Sequence, residues 1–352
     1  MNVGAKAPTL HDVAREAGVS LATASRSLNG STRTVNDAYR ERVRAAAVRL
    51  GYTPNLSAQA VAKGSTMTVA LLVGDIADPY FSSIAAGVIR ASEDAGFIVT
   101  MAVTERDAVR ELALVRALRG QRPRVLILAG SRSADEGAQQ ALVAELEAFE
   151  STGGRVVFIS QDELPFDTVL LDNYGGARQL ARNLVDLGYR RFAAISGAQA
   201  LLTAKDRLTG FLDGLAEHGI SVPAEHISHA AFTRDGGYAG GAELLSRGID
   251  DVELVFAVND VMAVGAMSAL RDGGRVPGVT IAVAGYDDIP TVRDVTPALT
   301  TVRIPLEDVG RRAVELALAP RAERGSAAPI PTTVVVRDST PARLTGVAEP
   351  VD

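Results

Sequence analysis

The sequence predicts two unlike parts: a small all-α head with helix-turn-helix spacing, and a larger α/β body of two similar subdomains. Three observations lead there. Apolar stripes of helical period fill the first fifty residues, and only a three-residue turn separates the first two helices. From Thr68 onward, continuous apolar runs alternate with amphipathic stretches, which is the pattern of repeated βα units. Charge is also unevenly divided. Residues 1–63 hold nine basic and four acidic side chains, so the head carries +5 and the rest −11, within a total of −6. A basic head on an acidic body suits a polyanion-binding module joined to something else.

At 352 residues the chain is too long for one ordinary core, and a composition of 47% apolar and 22% charged residues should fold over most of its length. Cysteine is absent, which excludes disulfides, thiolate zinc sites and thiol nucleophiles. The four histidines (His11, His218, His226, His229) show no metalloprotease spacing. No apolar run approaches the ~20 residues needed to cross a membrane. The amino terminus MNVGAKAPTLHDVA lacks the apolar region of a secretory signal. A cytoplasmic protein without metal, cofactor or membrane partner is expected.

In the head, Leu10, Val13, Ala14 and Ala17 form one apolar stripe, and Gly18 ends that helix. Ser20 can cap a second helix, LATASRSLN, with Leu21, Ala24 and Leu28 able to face inward. Asn36 can cap a third, where Val43, Ala46, Ala47 and Leu50 repeat the stripe before Gly51. Periodicity alone fits a generic three-helix bundle equally well.

The order of residues is more specific. TLHDVAREAGVSLATASRSLNG, followed by TVNDAYRERVRAAAVRLGYTPN, closely resembles the DNA-binding head of the LacI/GalR family of bacterial repressors. The resemblance runs without a gap from Thr9 to Gly64 and continues through the rest of the chain. It implies double-stranded operator DNA as a partner, with the second helix in the major groove. Leu21, Ala22 and Arg26 match the base-reading positions. Arg26 can offer a guanidinium fork to guanine, worth roughly 1–3 kcal/mol of discrimination, whereas Leu21 and Ala22 can make only apolar contacts. A surface ion pair is the plainer role for Arg26. Thr9, Ser20, Thr23, Ser25 and Asn29 have groups suited to phosphate contacts, which position the head without reading sequence.

TPNLSAQAVAKG, within a linker at residues 53–66, matches the family's hinge helix, which orders on DNA. A segment this short is not a stable helix by itself. Asn55, Ala58 and Val61 would lie at the minor groove, where an apolar wedge kinks the duplex. The family usually has leucine where this chain has Val61, so a weaker wedge is expected; packing against a dimer mate is the alternative.

In the body, TVALLVG, FIVTMAV, RVLILA, RVVFIS, RFAAIS, ELVFAV and VTIAVA are continuous rather than alternating, as for parallel strands buried on both faces. FSSIAAGVIRASEDAG, ARQLARNLVDLG, LTGFLDGLAEHG and VMAVGAMSALRDGG read as amphipathic helices between them. The resemblance implies a type I periplasmic-binding-protein-like fold, with crossings between subdomains near residues 161, 291 and 323. The division expected is a head at 1–52, the linker, and a body at 67–352. One subdomain would combine residues 67–160 with 292–322, the other 161–291 with 323–348.

The cleft between such subdomains is where small ligands bind in open α/β folds. By resemblance, Tyr80 and Phe81 match an aromatic pair that packs on the effector, and Arg207 an arginine that bonds its hydroxyls or carboxylates. Asn259 and Asp287 match polar residues around the ligand, and Phe232 a ring that can lie on a sugar face. This set suits a sugar-like effector. Each residue has a structural alternative: helix capping for Asp287, pairing with Asp206 or Asp172 for Arg207, and core packing for the rings. Two departures count against lactose-like or purine effectors. Ser160 stands where many relatives have aspartate, and Ala129 where the lactose repressor has a polar ligand residue.

An enzyme is disfavoured. No Ser-His-Asp arrangement is evident, and Gly236-Gly237 with Gly240-Gly241 fits neither dinucleotide nor P-loop patterns. A periplasmic sugar-binding protein would share the body fold but has no use for a basic helical head. The expectation is therefore a DNA-binding regulator, a repressor responding to a small effector. No heptad repeat follows the body, so a homodimer is expected rather than a tetramer.

Overall fold

The computed structural model describes residues 8–29, 35–53, 66–132, 136–320 and 328–343. They fall into two compact units, within 1–66 and 67–352.

The first unit is a three-helix bundle of α1 (Leu10–Ala17), α2 (Leu21–Asn29) and α3 (Asp37–Leu50). Thr9 and Asp12 form a reciprocal capping box at α1: the Asp12 amide donates to the Thr9 hydroxyl, and the Thr9 amide donates to Asp12 Oδ2 at 2.9 Å. Gly18 and Gly51 end α1 and α3 with φ of +62° and +63°, a conformation that favours glycine. Ser20 Oγ accepts from the Thr23 amide and Asn36 Oδ1 from the Ala38 amide, so both act as the predicted caps. Val13, Ala14, Ala17, Ala24, Val43, Ala46 and Ala47 make the small core. Arg42 ties the bundle by donating to the Ala17 carbonyl at 2.6 Å. Leu21 does not face inward as its apolar character suggested. It sits at the start of α2 and is 39% exposed.

The second unit contains two parallel sheets. The first has the order β2-β1-β3-β4-β5 and comprises β1 (Thr68–Val73), β2 (Ile98–Val103), β3 (Val125–Ala129), β4 (Arg155–Ser160) and β5 (Asp167–Leu170). Helices α4 (Pro79–Asp94), α5 (Ala108–Gln121) and α6 (Glu136–Ser151) connect successive strands. Continuous apolar strands arise because each face has its own helical layer. Leu71, Val73, Ile127 and Ile159 pack with Ile84 and Val88 of α4, while Leu72, Leu126, Leu128 and Phe158 pack with Val115 of α5 and Leu146 of α6. The edge strand β2 departs from this rule, with Ile98 59% and Met101 38% exposed.

The second sheet has the order β7-β6-β8-β9, from β6 (Phe192–Ser196), β7 (Ile227–His229), β8 (Leu254–Ala257) and β9 (Ala282–Ala284). Helices α7 (Asn173–Asp186), α8 (Leu202–Ala216), α9 (Arg234–Arg247) and α10 (Asp260–Asp272) belong to this half. An antiparallel ribbon, β10 (Thr301–Arg303) with β11 (Thr333–Val335), and helix α11 (Leu306–Leu318) complete the chain. Among the described residues, no helix is long and apolar enough to cross a membrane.

The crossings differ from those expected. β5 lies beyond residue 161 yet pairs in register with β4, so the first passage follows Leu170. The second follows Arg303 rather than residue 291, because Gly285 and Asp287 donate to the Thr300 and Val302 carbonyls and hold that stretch to the second sheet. α11 then packs on α4, β4 and β5 of the first. The third expected crossing, near residue 323, lies outside the described residues.

Helices approach closely where side chains are missing. A Cβ on Gly87 of α4 would lie 2.0 Å from the Glu307 carbonyl oxygen, and one on Gly310 of α11 would lie 2.2 Å from that of Ile84. Gly87→Ala should therefore destabilise the body by about 1–3 kcal/mol through forced separation of these helices. Gly120→Ala, in α5 with no atom near its added Cβ, should stabilise by about 0.5–1 kcal/mol. Urea melts of the two variants check the contrast.

Candidate functional site

In the head unit, α2 presents Leu21, Ala22 and Arg26 as exposed residues, with Ser25 half-buried among them. Their spacing of one, four and five puts them on one face. Among the described residues no ion pair of Arg26 is found. The hydroxyls of Thr9, Ser20 and Thr23 take part in capping: Thr9 donates to Asp12 at 2.7 Å, and Ser20 and Thr23 lie 2.8 Å apart. Asn29 closes α2. Asn55, Ala58 and Val61 lie outside the described residues.

In the body unit, the carboxyl ends of β1 and β3 face the second sheet across a cavity of about 100 Å³. At ~10–15 Å³ per water site, it has room for roughly seven or more waters, comparable to the bulk of a monosaccharide. Tyr80 and Phe81 enter from the first turn of α4, capped by Asp78, which accepts from the Tyr80 amide at 3.0 Å. Their rings meet edge to face with centroids 5.0 Å apart. Arg207 of α8, Phe232 after β7 and Asp287 after β9 line the opposite side.

Arg207 is 1% and Asp287 4% exposed, and Nη2 donates to Asp287 Oδ1 at 2.7 Å. Arg207 also donates to Asn173 Oδ1 and to the Val258 carbonyl, both at 2.9 Å, and its guanidinium lies 3.9 Å from the Tyr286 ring centroid. It pairs with neither Asp206 nor Asp172; Asp172 instead caps α7. Burial pushes Asp287 up while the arginine pulls it back. Burial alone would lower Arg207, but the Asp287 carboxylate beside it holds it above its ordinary value, so the guanidinium stays charged.

Asn259 is not brought to the cavity. It is 1% exposed, and its Oδ1 accepts from the Met262 amide at 2.9 Å as the cap of α10. Its neighbour Val258 reaches Arg207 through the backbone, so Asn259 supports the site from behind. Ser160 does not line the cavity either: its hydroxyl lies 2.7 Å from the Gly130 carbonyl and 2.8 Å from Gln161 Oε1, and its one proton goes to one of these two oxygens. Ala129 lines the wall with no polar group.

Sequence reasoning missed the far wall. Arg132, just past β3, makes two 3.0 Å bonds to Glu111 of α5. Arg106 bridges Asp75 and Asp78, each at 3.1 Å. The rims are joined directly: the Leu202 amide donates to the Arg132 carbonyl, the Thr203 amide to Ser131 Oγ, and Gln161 Nε2 to Thr203 Oγ1. Arginines and carboxylates at strand ends were the one available signal, but their pairing depends on tertiary placement.

Behind the cavity lie two further buried carboxylates, Asp288 and Asp260. Asp288 takes Arg303 Nε at 2.6 Å, Arg337 Nη2 at 2.5 Å and Arg293 at 3.4 Å. Among the described residues Asp260 forms no ion pair. Its oxygens accept from the Ile289 amide at 2.9 Å and the Thr301 hydroxyl at 2.6 Å, and burial pushes it up to about 7.

Comparison with known proteins places this geometry. The profile for the lacI family of bacterial regulatory proteins matches residues 9–55, and that for a periplasmic binding protein-like domain matches residues 181–340. The HTH-type transcriptional regulator CelR of Thermobifida fusca is 34% identical over 314 residues, which is 88% of this chain and 90% of that protein. The crystal structure of the Lac repressor dimer bound to operator and the anti-inducer ONPF superposes with a TM-score of 0.83 at 28% identity, covering 96% of this chain and all of that one. The CelR–cellobiose complex superposes with a TM-score of 0.66 at 33% identity, covering 94% and 99%.

Asp260 gives a pH test. Its folded pKa lies above the ordinary carboxylate value, so its stabilising neutral form is fully present below about pH 4 and lost as pH rises through about 7. In Asp260→Asn the amide can donate to the Thr301 hydroxyl and its oxygen can still accept from Ile289. The variant should gain on the parent by on the order of a few kcal/mol between pH 5 and pH 8. Paired denaturant titrations at the two pH values read this directly, and a constant difference would mean Asp260 is charged throughout.

Proposed function

We propose that this chain, which belongs to the lacI family of bacterial regulatory proteins, represses transcription as a homodimer on a pseudo-palindromic operator, with its affinity set by a sugar or sugar derivative. Family membership makes it a DNA-binding, ligand-responsive transcription regulator and not an enzyme. The observation that carries the effector reading is the buried Arg207–Asp287 pair, which lines one cavity together with Tyr80 and Phe232. A guanidinium and a carboxylate side by side can bracket vicinal hydroxyls while rings cover the apolar face of a sugar. Asn259 is retained only as a supporting residue.

On this reading residues 1–52 are the DNA-binding head, 53–66 the hinge and 67–352 the effector-binding and dimerising body. Leu21, Ala22 and Arg26 read base edges. Thr9, Ser20, Thr23, Ser25 and Asn29 meet phosphates, and Asn55, Ala58 and Val61 lie at the minor groove. The exposed apolar edge at Ile98 and Met101 supports pairing of two bodies, which would set two heads on two half-sites. Ligand binding alters the fit of the two subdomains and, through the first, the order of the hinge. A coupling of roughly 1–3 kcal/mol gives a five- to 150-fold change in operator affinity.

Cellobiose is the first probe, because it is bound by a similar protein. A ligand at 100 times its dissociation constant adds about 2.7 kcal/mol of stability, visible as a thermal shift, and the same ligand should change binding to a palindromic operator in either direction. Phe232→Ala should keep operator binding and lose that response; an unchanged response would place the effector elsewhere. Arg26→Ala should weaken operator binding by about 1–3 kcal/mol and barely affect random DNA. Equal loss on both DNAs would make Arg26 a phosphate contact.

A further inference from the structure

We propose that the cavity selects an uncharged, hydroxyl-rich ligand and rejects the phosphorylated or carboxylated form of the same molecule. This rests on the effector reading of the cleft and narrows it. Three guanidinium groups line the cavity, and each has a carboxylate partner from the chain itself. Arg207 holds Asp287 at 2.7 Å. Arg132, which is 6% exposed, turns both terminal nitrogens onto Glu111. Arg106 is shared between Asp75 and Asp78. The paired fork of an arginine is what receives a phosphate or carboxylate in a binding site, and here the Arg132 fork is already filled.

The second receptor for anions in such a fold, a helix amino terminus, is closed too. Three helices whose preceding residues are described begin at the cavity wall, and one of them, α8, has no side-chain cap, but its Leu202 and Thr203 amides already donate to the Arg132 carbonyl and Ser131 Oγ. Asp78 caps α4, and Asp107 caps α5 by accepting from the Arg110 amide at 2.6 Å. An entering anion would have to displace a carboxylate from its arginine or helix end, or accept from a spare guanidinium N–H such as that of Arg132 Nε, and in either case remain beside that carboxylate. Two like charges in a partly desolvated cavity are costly, and the displaced carboxylate would be left buried. A hydroxyl faces neither difficulty. It donates to a carboxylate oxygen or accepts from a spare guanidinium N–H while the pairs stay intact.

The test uses the full chain and matched pairs of ligands: glucose with glucose 6-phosphate, galactose with galacturonate, and cellobiose with cellobionate, each titrated by calorimetry. At least one uncharged member should bind, with its charged mate weaker by roughly 100-fold or more. Glu111→Gln removes one carboxylate and frees the Arg132 fork, so the ratio should narrow by about tenfold or more while operator binding persists. A charged member binding as tightly as its mate overturns the inference and leaves the sugar reading standing. So does a Glu111→Gln ratio equal to that of the parent, and absence of binding by every uncharged compound counts against it as well. Uncharged nucleosides that bind where no sugar does, again over their phosphates, would uphold charge selection and sink the sugar reading.

Discussion

Two consecutive aspartates, Asp287 and Asp288, bury their carboxylates toward different partners just after β9. Asp287 reaches Arg207 at the cavity, and Asp288 collects Arg303, Arg337 and Arg293 behind it. A buried carboxylate left alone is strongly unfavourable, so these arginines must be where they are or the chain cannot take this path. Both aspartates have positive φ, 122° and 56°, a conformation that costs roughly 1–3 kcal/mol at each non-glycine residue. The strain directs neighbouring side chains to separate sites, one at the cavity and one on the ribbon of β10 and β11. Arg303 and Arg337 flank that ribbon. Cavity and ribbon are thus met by adjacent residues, which gives coupling between them a short physical route.

Much of the fold was legible because apolar periodicity follows from burial. The seven continuous runs became strands of two parallel sheets, since each run has a helical layer on both faces, except at β2. The strands missed were β5, β10 and β11, each of three or four residues. Such strands are too short to show a period, and their pairing is set by neighbours distant in sequence. β5 misled most. A short segment past Ser160 extends the first sheet, which moved the first crossing beyond its expected place.

The candidate site was legible in part. Tyr80, Phe81, Arg207, Phe232 and Asp287 converge on one cavity because strand ends and helix starts of an α/β fold meet there. Asn259 shows the limit of residue type as evidence: an asparagine before a helix serves equally as ligand contact or cap, and here its oxygen is occupied by the Met262 amide. Glu111 and Arg132 are 21 residues apart and were invisible as a pair, since only the packing of α5 against the end of β3 brings them together. In the head, the exposure of Leu21 is intelligible as a leucine that core packing does not need.

The rims of the cavity are held by Leu202 to Arg132, Thr203 to Ser131 and Gln161 to Thr203. All three bonds join the chain to itself, and each is worth about 0.5–1.5 kcal/mol net. On the proposed reading, the arrangement that takes the effector therefore has intrinsic support, and apparent affinity falls below intrinsic affinity only by the fraction of molecules in which the rims are apart. A substitution at Gln161, which unlike Thr203 does not line the cavity, would act as a gain control. It would set how many molecules are poised to bind while leaving the cavity wall itself unchanged, so threshold and selectivity can evolve independently in this architecture.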